Sequence, residues 1–257
     1  MDYMKRLENL VRDLRIAISL CTRLPVAPSA AVGEGDVARA SWALPIAGAL
    51  IGLIAAMVYS LAERLHIPPT AASVLALAAT VLLTGAMHED GLADTADGFG
   101  GGRTRERKLE IMRDSRIGTF GACALGLSLL LRWSAIAALE DSRSVAIALI
   151  VAHGAARATL PAFMSLVAPA RGEGLSSDAG QPPPASVAIA LALGIITLAL
   201  ALGAGAMLKG VIVLAAIGLL FAWLAISQIG GQTGDVLGAV EQTAEAALLL
   251  IVAALAI

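Results

Sequence analysis

Long apolar stretches separated by short polar segments dominate the chain. Six of them are long enough, or nearly so, to cross a bilayer, because a spanning helix needs about 20 mostly apolar residues. They lie at about 42–62, 70–88, 118–139, 145–168, 185–206 and 210–229. A seventh stretch, 244–257, is short for a full crossing and leaves open whether it spans, tilts or packs into the bundle. The pattern predicts an all-α, polytopic integral membrane helix bundle with six or seven transmembrane helices.

The N-terminal segment follows a different pattern, in which apolar residues recur at helical spacing among basic ones. The apolar positions are Leu7, Leu10, Val11, Leu14 and Ile18, and the basic ones are Lys5, Arg6, Arg12 and Arg15. This pattern is typical of an amphipathic helix in the headgroup plane. A helix packed on the protein's own cytoplasmic surface explains it equally well. We assign 1–41 as an amphipathic or interfacial segment of a single membrane-embedded catalytic domain, 1–257.

Composition agrees with a membrane protein. Hydrophobic residues make up 58% of the chain and charged residues 15%, against about 25% charged in soluble domains. The net charge of -2 gives no indication of a nucleic-acid partner. Small residues within the first span, such as Gly48 and Gly52, are expected to let helix backbones approach closely. Cys21 and Cys123 are interpreted as small buried hydrophobic residues.

The distribution of basic residues predicts the orientation. With the N-terminus inside, three basic residues fall in outside loops, Arg64, Arg143 and Lys209, and two lie within spans, Arg132 and Arg157. The remaining 13 of the 18 (18 − 3 − 2) lie on the inner side. Such an excess is the positive-inside pattern. The long polar segments, and with them the active site, are therefore expected to face the cytoplasm.

The segment His88–Gly102 carries the strongest chemical signal. Asp90, Asp94 and Asp97 follow one another at i, i+4 and i+7, so a helix places them on one face, with Glu89 about 100° away. Like charges stacked in this way repel one another and require a compensating cation. Mg²⁺ typically binds one or two carboxylates together with substrate phosphates. The segment 89–117 is therefore predicted to be a catalytic loop. It consists of an acidic part, a glycine run and a basic part, in that order.

Two further inner segments carry polar candidates. In the basic part, Lys108 and Arg116 are candidates for binding phosphate oxygens, although topology signalling and contact with anionic lipid explain part of this charge. In 230–243, predicted to be a second cytoplasmic-face loop, Asp235 is a candidate metal ligand or general base and Gln232 a candidate substrate contact. A simple helix connection is the alternative for that segment. A carboxylate–metal site beside cations is what phosphoryl transfer needs.

Ionisable residues also occur within the predicted spans. His153 and Arg157 are i, i+4 and share one helix face, while Arg132 lies alone in another span. Charge in the bilayer interior is costly and faces the bundle rather than lipid. His153 and Arg157 are therefore expected to contact substrate or an acidic partner, with a structural role as the alternative. Arg132 is expected to snorkel or to pair internally.

Several motifs together resemble one enzyme family. The run EDGLADTADGFGGG, followed by RDSRIGTFG and GGQTGD, is similar to cobalamin synthase (adenosylcobinamide-GDP ribazoletransferase), and TRLPV and ARGEGL fit the same family. The resemblance implies a Mg²⁺-dependent enzyme of the bacterial inner membrane. It implies that a ribose hydroxyl of α-ribazole, or of its 5′-phosphate, attacks adenosylcobinamide-GDP and that GMP is released.

The resemblance also suggests roles for the candidate residues. Glu89, Asp90, Asp94 and Asp97 would bind metal or activate the hydroxyl, Asp235 would complete the site, and Arg116 with Lys108 would hold the pyrophosphate. Two other functions remain open from the residues. One is a CDP-alcohol-type phosphotransferase, whose motif has an Ala-Arg pair where Leu92-Ala93 stand here. The other is a small secondary transporter. The sequence leaves the oligomeric state open, and a homo-oligomer is one possibility. Membrane lipid is an expected partner.

Overall fold

Helices make up nearly all of the structure, a computed structural model that describes residues 2–26, 28, 31–172 and 174–256. The α-helices in these residues are α1 (Asp2–Cys21), α2 (Asp36–Ala40), α3 (Leu44–Arg64), α4 (Pro69–Thr84), α5 (Met87–Gly101), α6 (Arg105–Ile111), α7 (Thr119–Ala137), α8 (Ser142–Ala158), α9 (Leu160–Leu166), α10 (Leu175–Ala179), α11 (Pro184–Ile229) and α12 (Gly234–Ala256). A 3₁₀ turn, Ser41–Ala43, joins α2 to α3, and the described residues contain no β-strand. The all-α prediction is confirmed.

Five helical segments in the described residues are long and apolar enough to cross a membrane, and the bent pair α4–α5 adds a sixth. They are Asp36–Arg64, Thr119–Ala137, Ser142–Leu166, Pro184–Ile229 and Gly234–Leu255. Helix α11 has 46 residues and would be about 69 Å long if straight, more than twice the thickness of the hydrocarbon core. A single straight crossing therefore does not account for it.

Helix α11 folds back on itself at Gly203. The backbone of Gly203 has φ 76° and ψ 169°, which interrupts the helix and is readily adopted by glycine. The Leu198 side chain lies 3.3 Å from where a Cβ of Gly210 would be, whereas twelve positions along a straight helix measure about 18 Å. The two arms are therefore antiparallel. Counting them separately gives six spans, or seven with the α4–α5 pair, in agreement with the sequence prediction.

The last helix begins earlier than the sequence predicted. Only residues 230–233 form a connection, and α12 starts at Gly234, so the loop predicted over 230–243 is wrong beyond its first residues. The 23-residue α12 is long enough for a full crossing, which the stretch 244–257 alone was not. The first half of α12 looks less hydrophobic in the sequence because it contains Glu241, Gln242 and Glu245. In the fold these side chains are buried against other helices.

The segment predicted as a catalytic loop over 89–117 is largely helical. Helix α4 ends at Thr84, short of the predicted 88, because Gly85 and Ala86 adopt left-handed backbone angles. Helix α5 then leaves at 88° to α4 and carries the carboxylates, and α6 carries part of the basic run. The sharp bend turns α5 out of the line of α4. It lets α5 pack against α12 and α7.

Close backbone contact between α3 and α8 depends on two glycines. A Cβ at Gly48 would overlap the carbonyl oxygen of His153, and one at Gly52 would overlap the carbonyl oxygen of Leu149. The predicted role of small residues in the first span is therefore confirmed. This contact fixes the position of α8, which carries His153 and Arg157.

Gly52→Ala is expected to destabilise the protein by about 1–3 kcal/mol, because its methyl group enters space occupied by the α8 backbone. The measurement is the thermal unfolding midpoint in lipid nanodiscs. Gly126→Ala in α7 is the matched control, since nothing lies within 4 Å of its Cβ position. Equal midpoints for the two variants would contradict the close α3–α8 contact.

Helix α1 has two different halves. Its C-terminal half packs on the protein, with Ile16, Ala17 and Cys21 buried. In the N-terminal half Leu7 and Leu10 are 44% and 48% exposed. Packing on the protein's own surface therefore accounts for the second half, and contact with the headgroup region stays a prediction for the first. Cys21 is buried as predicted, whereas Cys123 is exposed on α7, so its predicted burial is wrong.

Candidate functional site

Two glycines bring the acidic face of α5 against the start of α12. A Cβ at Gly91 would lie 2.8 Å from the carbonyl oxygen of Asp235, and one at Gly238 would lie 3.1 Å from that of His88. Real Cβ atoms do not tolerate the first distance, so glycine is required at this crossing. The crossing places Asp235 beside the aspartates of α5, which are separated from it by more than a hundred residues in the chain.

Four aspartates form the acidic cluster that the sequence predicted. The carboxylate of Asp94 is repelled by those of Asp90, Asp235 and Asp97. Asp90 is exposed, Asp94 half-buried and Asp97 buried, so the cluster runs from the surface into the protein. A concentration of negative charge of this kind favours a divalent cation.

Asp97 also has a second role, at the start of α7. Its two carboxylate oxygens accept hydrogen bonds from the backbone N–H groups of Gly118 and Gly121, at 2.6 and 2.8 Å. An anion at a helix N-terminus pairs with unsatisfied N–H groups and with the helix dipole. Asp97 therefore holds α7 against α5. Remaining lone pairs on its oxygens are still available to a cation.

Glu89 lies apart from the four aspartates. It is buried, and its Oε1 accepts hydrogen bonds from both terminal nitrogens of Arg132, at 3.2 and 3.3 Å. The reason is the helical rotation between neighbouring residues, which turns Glu89 towards the bundle interior while Asp90 faces outward. The structure thus does not bring Glu89 together with the aspartates, and its predicted role as a metal ligand has no support from this placement.

The ionisable residues within the spans form one buried ion network across α5, α7, α8 and α12. Its closest pairs are Arg157–Glu241 at 2.5 Å, His153–Glu245 at 2.9 Å, Arg132–Glu245 at 3.0 Å and His88–Glu241 at 3.2 Å. The predicted acidic partners of His153 and Arg157 are therefore the glutamates of α12, and Arg132 pairs internally. Because buried charges need such partners, the network determines how these helices pack.

The network also contains a group with metal-ligand geometry. In the described part of the chain, only His153, Glu241 and Glu245 have ligand-type atoms that all lie within 4.8 Å of one another. Arg157 and Arg132 already compensate the two glutamates, so we interpret this group as part of the ion network. The aspartates are more widely spaced. That spacing suits an ion that binds carboxylates and substrate phosphates together.

The predicted phosphate ligands Lys108 and Arg116 have protein partners. Lys108 Nζ donates a hydrogen bond to Gln228 Oε1. Arg116 is 86% exposed and forms a forked pair with Asp114, 2.6 Å at the shortest contact. Through these hydrogen bonds Arg116 lowers the pKa of the Asp114 carboxyl to about 2. Binding of substrate phosphate by either cation stays a prediction.

The connection at 168–170 and the connection at 230–233 are joined by main-chain hydrogen bonds. Gln232 N–H donates to the Ala168 carbonyl, and Ala170 N–H donates to the Gln232 carbonyl, both at 2.8 Å. Arg105 contacts both segments, because its side chain donates hydrogen bonds to the carbonyls of Ile229 at 2.8 Å and Ala170 at 2.6 Å. Gln232 is buried here, and its Oε1 has no hydrogen-bond partner among the described residues. Its predicted contact with substrate stays untested.

A cavity of about 770 Å³ opens beside the acidic cluster. It is lined by the end of α1, by residues 32–34, by α2 and the turn that follows it, by α9, by Gly172 and residues 177–180, and by the starts of α5 and α12. Asp90 and Asp235 face it from opposite elements, together with His88. Pockets of this size hold small-molecule ligands of several hundred Å³. Among the described residues, Asp94, Lys108 and Arg116 do not line it.

Sequence reasoning missed four contributors. Arg171, which follows Ala170, lies 3.5 Å from Asp235, and His88 lines the cavity, while Glu241 and Glu245 neutralise the buried arginines. The signal for Arg171 was available, because it stands in the ARGEGL motif on the predicted inner face. The signal for Glu241 was hidden by the assignment of 230–243 as a loop, and Glu245 fell in the apolar stretch 244–257, to which no chemistry was assigned.

Comparisons with known proteins identify the family of this chain. The family model described as cobalamin-5-phosphate synthase matches residues 13–253. The chain is 62% identical to the adenosylcobinamide-GDP ribazoletransferase of Bradyrhizobium diazoefficiens, over 96% of this chain and 95% of that protein. It is 48% identical to the protein of the same name in Mesorhizobium japonicum, over 95% and 93%. No solved structure matches it. The chain therefore belongs to the cobalamin-5-phosphate synthase family.

Proposed function

We propose that this chain is an adenosylcobinamide-GDP ribazoletransferase, which joins adenosylcobinamide-GDP to α-ribazole or its 5′-phosphate and releases GMP. The observation that carries the proposal is the position of Asp90 and Asp235, which face one cavity from two helices that glycines hold together. The names of the relatives in Bradyrhizobium and Mesorhizobium support the substrates.

In the reaction a ribose hydroxyl oxygen attacks the phosphorus bonded to cobinamide. The bond from that phosphorus to the oxygen bridging to GMP breaks, GMP leaves with that oxygen, and the hydroxyl proton is released. The diphosphate of the donor carries negative charge next to aspartates, so a cation is needed to bring them together. We expect the acidic cluster to position the reactants and the cavity walls to limit access of water.

Mg²⁺ is the cation that the donor set fits. Asp90, Asp94 and Asp235 would hold it, with Asp97 contributing from its capping position. Carboxylate oxygens are hard ligands of the type that Mg²⁺ selects, and substrate phosphates supply further oxygens. The contact of Asp235 with Arg171 is long, at 3.5 Å, and leaves lone pairs of that carboxylate available. When bound, Mg²⁺ neutralises charge on the diphosphate and on the leaving group. Glu89 is not included, because Arg132 already pairs with it.

The site is proposed to face the cytoplasm of a bacterial inner membrane. Three segments meet at the cavity or beside it: the start of α7, the start of α12 and the 168–172 connection. All three lie on the side where basic residues are in excess. Mg²⁺ and nucleotide substrates are available on that side. The exposed apolar side chains of α1 and of the spans would contact membrane lipid.

The function predicts GMP release by the purified protein in lipid nanodiscs with Mg²⁺, adenosylcobinamide-GDP and α-ribazole, measured by chromatography of the nucleotides. Chelation of divalent cations with EDTA is expected to abolish GMP release, and added Mg²⁺ to restore it. α-Ribazole and its 5′-phosphate are compared as acceptors in parallel.

Two controls separate the proposal from its alternatives. CMP release from CDP-diacylglycerol with an alcohol acceptor would identify a CDP-alcohol-type phosphotransferase. Accumulation of substrate in sealed vesicles without GMP would identify a transporter. Either result, with no GMP from the cobinamide substrate, would overturn the proposed function.

A further inference from the structure

Arg171 has a hydrogen-bonding capacity that the protein does not use. Its side chain is only 20% exposed, and its Nη1 is buried without a hydrogen-bond partner among the described residues. Among the described residues its ion-pair partner is Asp235, at 3.5 Å between Nη2 and Oδ2. That distance is at the limit for a hydrogen bond, so the pair leaves most of the guanidinium donors free.

Three other arginines that have a buried, unpaired side-chain nitrogen differ from Arg171. Arg12, Arg132 and Arg157 each lack a partner only at Nε, and each has a carboxylate within 3.0 Å of a terminal nitrogen. Arg171 instead lacks a partner at a terminal nitrogen, which carries two N–H donors. A buried donor left unpaired costs free energy, and its persistence calls for a further partner, such as a ligand, an ion or a water molecule.

The backbone around Arg171 is held firmly in place. Ala168 and Ala170 pair with Gln232, and Arg105 donates hydrogen bonds to the carbonyls of Ala170 and Ile229. This contact joins the Arg171 connection to the segment that leads into Asp235. The next residue, Gly172, lines the same cavity as Asp90 and Asp235. Arg171 itself does not line the cavity, but its backbone adjoins Gly172 and its guanidinium contacts Asp235, and both of those residues do.

We propose that Arg171 is the substrate-binding cation of this site and that its guanidinium binds the diphosphate of the nucleotide substrate beside Asp235. The planar guanidinium fork matches two phosphate oxygens, and a pair of opposite charges is strongest where water is partly excluded. Neither Lys108, paired with Gln228, nor the exposed Arg116 combines these properties. The inference rests on the proposed function for the identity of the substrate, but not for diphosphate binding itself.

The test uses GDP as the probe, because it carries the diphosphate and guanosine of the donor without the corrinoid. Binding of GDP to protein in nanodiscs is measured by equilibrium dialysis, with Mg²⁺ and separately with EDTA. Arg171→Met is expected to weaken GDP binding about 10- to 100-fold in both conditions, since charged hydrogen bonds are lost. Arg171→Lys keeps the charge but not the fork, and an intermediate loss is expected.

Arg113→Met is the matched control, because Arg113 is an exposed basic residue on the same predicted face. It is expected to leave GDP binding unchanged within about twofold, as rim charges contribute little. In turnover assays the KM for adenosylcobinamide-GDP should rise in Arg171→Met, whereas the KM for α-ribazole should not. A merely structural role would change both.

Unchanged GDP affinity in Arg171→Met, with and without Mg²⁺, would overturn the proposal. If Arg171→Met fails to fold, as judged by its thermal unfolding, Arg171→Lys decides: an affinity equal to that of the unmodified protein rejects the forked contact. Should the unmodified protein bind GDP through Arg171 and yet release no GMP from adenosylcobinamide-GDP, the proposed function fails while this inference holds.

Discussion

Asp94→Asn and Asp235→Asn are each expected to lower the rate of GMP release by at least about 100-fold, the loss typical of removing one electrostatic stabiliser of a transition state. Both carboxylates belong to the acidic cluster and neither caps a helix or pairs closely with a buried arginine. Their replacement removes negative charge from a site where like charges repel, so the free energy of unfolding should not fall. The measurement is single-turnover GMP release at saturating Mg²⁺.

Asp97→Asn is the informative comparison for this prediction. Its carboxylate accepts hydrogen bonds from Gly118 and Gly121, so its replacement is expected to lower stability as well as activity. Asp114→Asn, at an exposed carboxylate paired with Arg116, serves as a control that removes the same charge elsewhere on this face. Full activity in both Asp94→Asn and Asp235→Asn would remove the acidic cluster from the mechanism.

Arg157→Met and Glu241→Gln are each expected to destabilise the protein by about 3–5 kcal/mol, because each leaves one charge of a buried pair without its partner. Arg157 and Glu241 lie 2.5 Å apart, and both side chains are almost fully buried. The double variant removes both charges, so its destabilisation should be smaller than the sum of the two single effects. Denaturant or thermal unfolding in nanodiscs measures all three.

Arg143→Met provides the matched control, since Arg143 is an exposed residue of the same helix, α8. It is expected to stay within about 0.5 kcal/mol of the unmodified protein. Additive effects of Arg157→Met and Glu241→Gln would contradict a direct pair. The result would then assign the two side chains to separate interactions within the bundle.

The ion network explains why polar residues are retained so deep in an apolar protein. Glu89 and His88 belong to it through Arg132 and Glu241, while their neighbour Asp90 faces the cavity. A change in the packing of α5 on α12 would therefore move Asp90 relative to Asp235. In this way the buried network maintains the geometry of the surface carboxylates, and His88 is a member of it that also lines the cavity.

Much of the fold was predictable from sequence. Hydrophobic length predicted the spans, and the arms of α11 correspond to two predicted ones, because a bilayer imposes a minimum apolar length. The i, i+4, i+7 spacing correctly predicted Asp90, Asp94 and Asp97 on one helix, since helical periodicity is a local property. The motifs identified the family, which the relatives confirm.

The helical class, the number of spans, the acidic face of α5 and the family all follow from local patterns in the amino-acid sequence. Which charges meet depends on how the helices pack: Glu89 pairs with Arg132, Glu241 with Arg157, and Arg171 with Asp235. Hydropathy averages over all sides of a helix, so it misplaced the start of α12, whose polar side chains face other helices. Electrostatic partners lie far apart in the chain, and their pairing depends on backbone contacts such as that of Gly91 with Asp235.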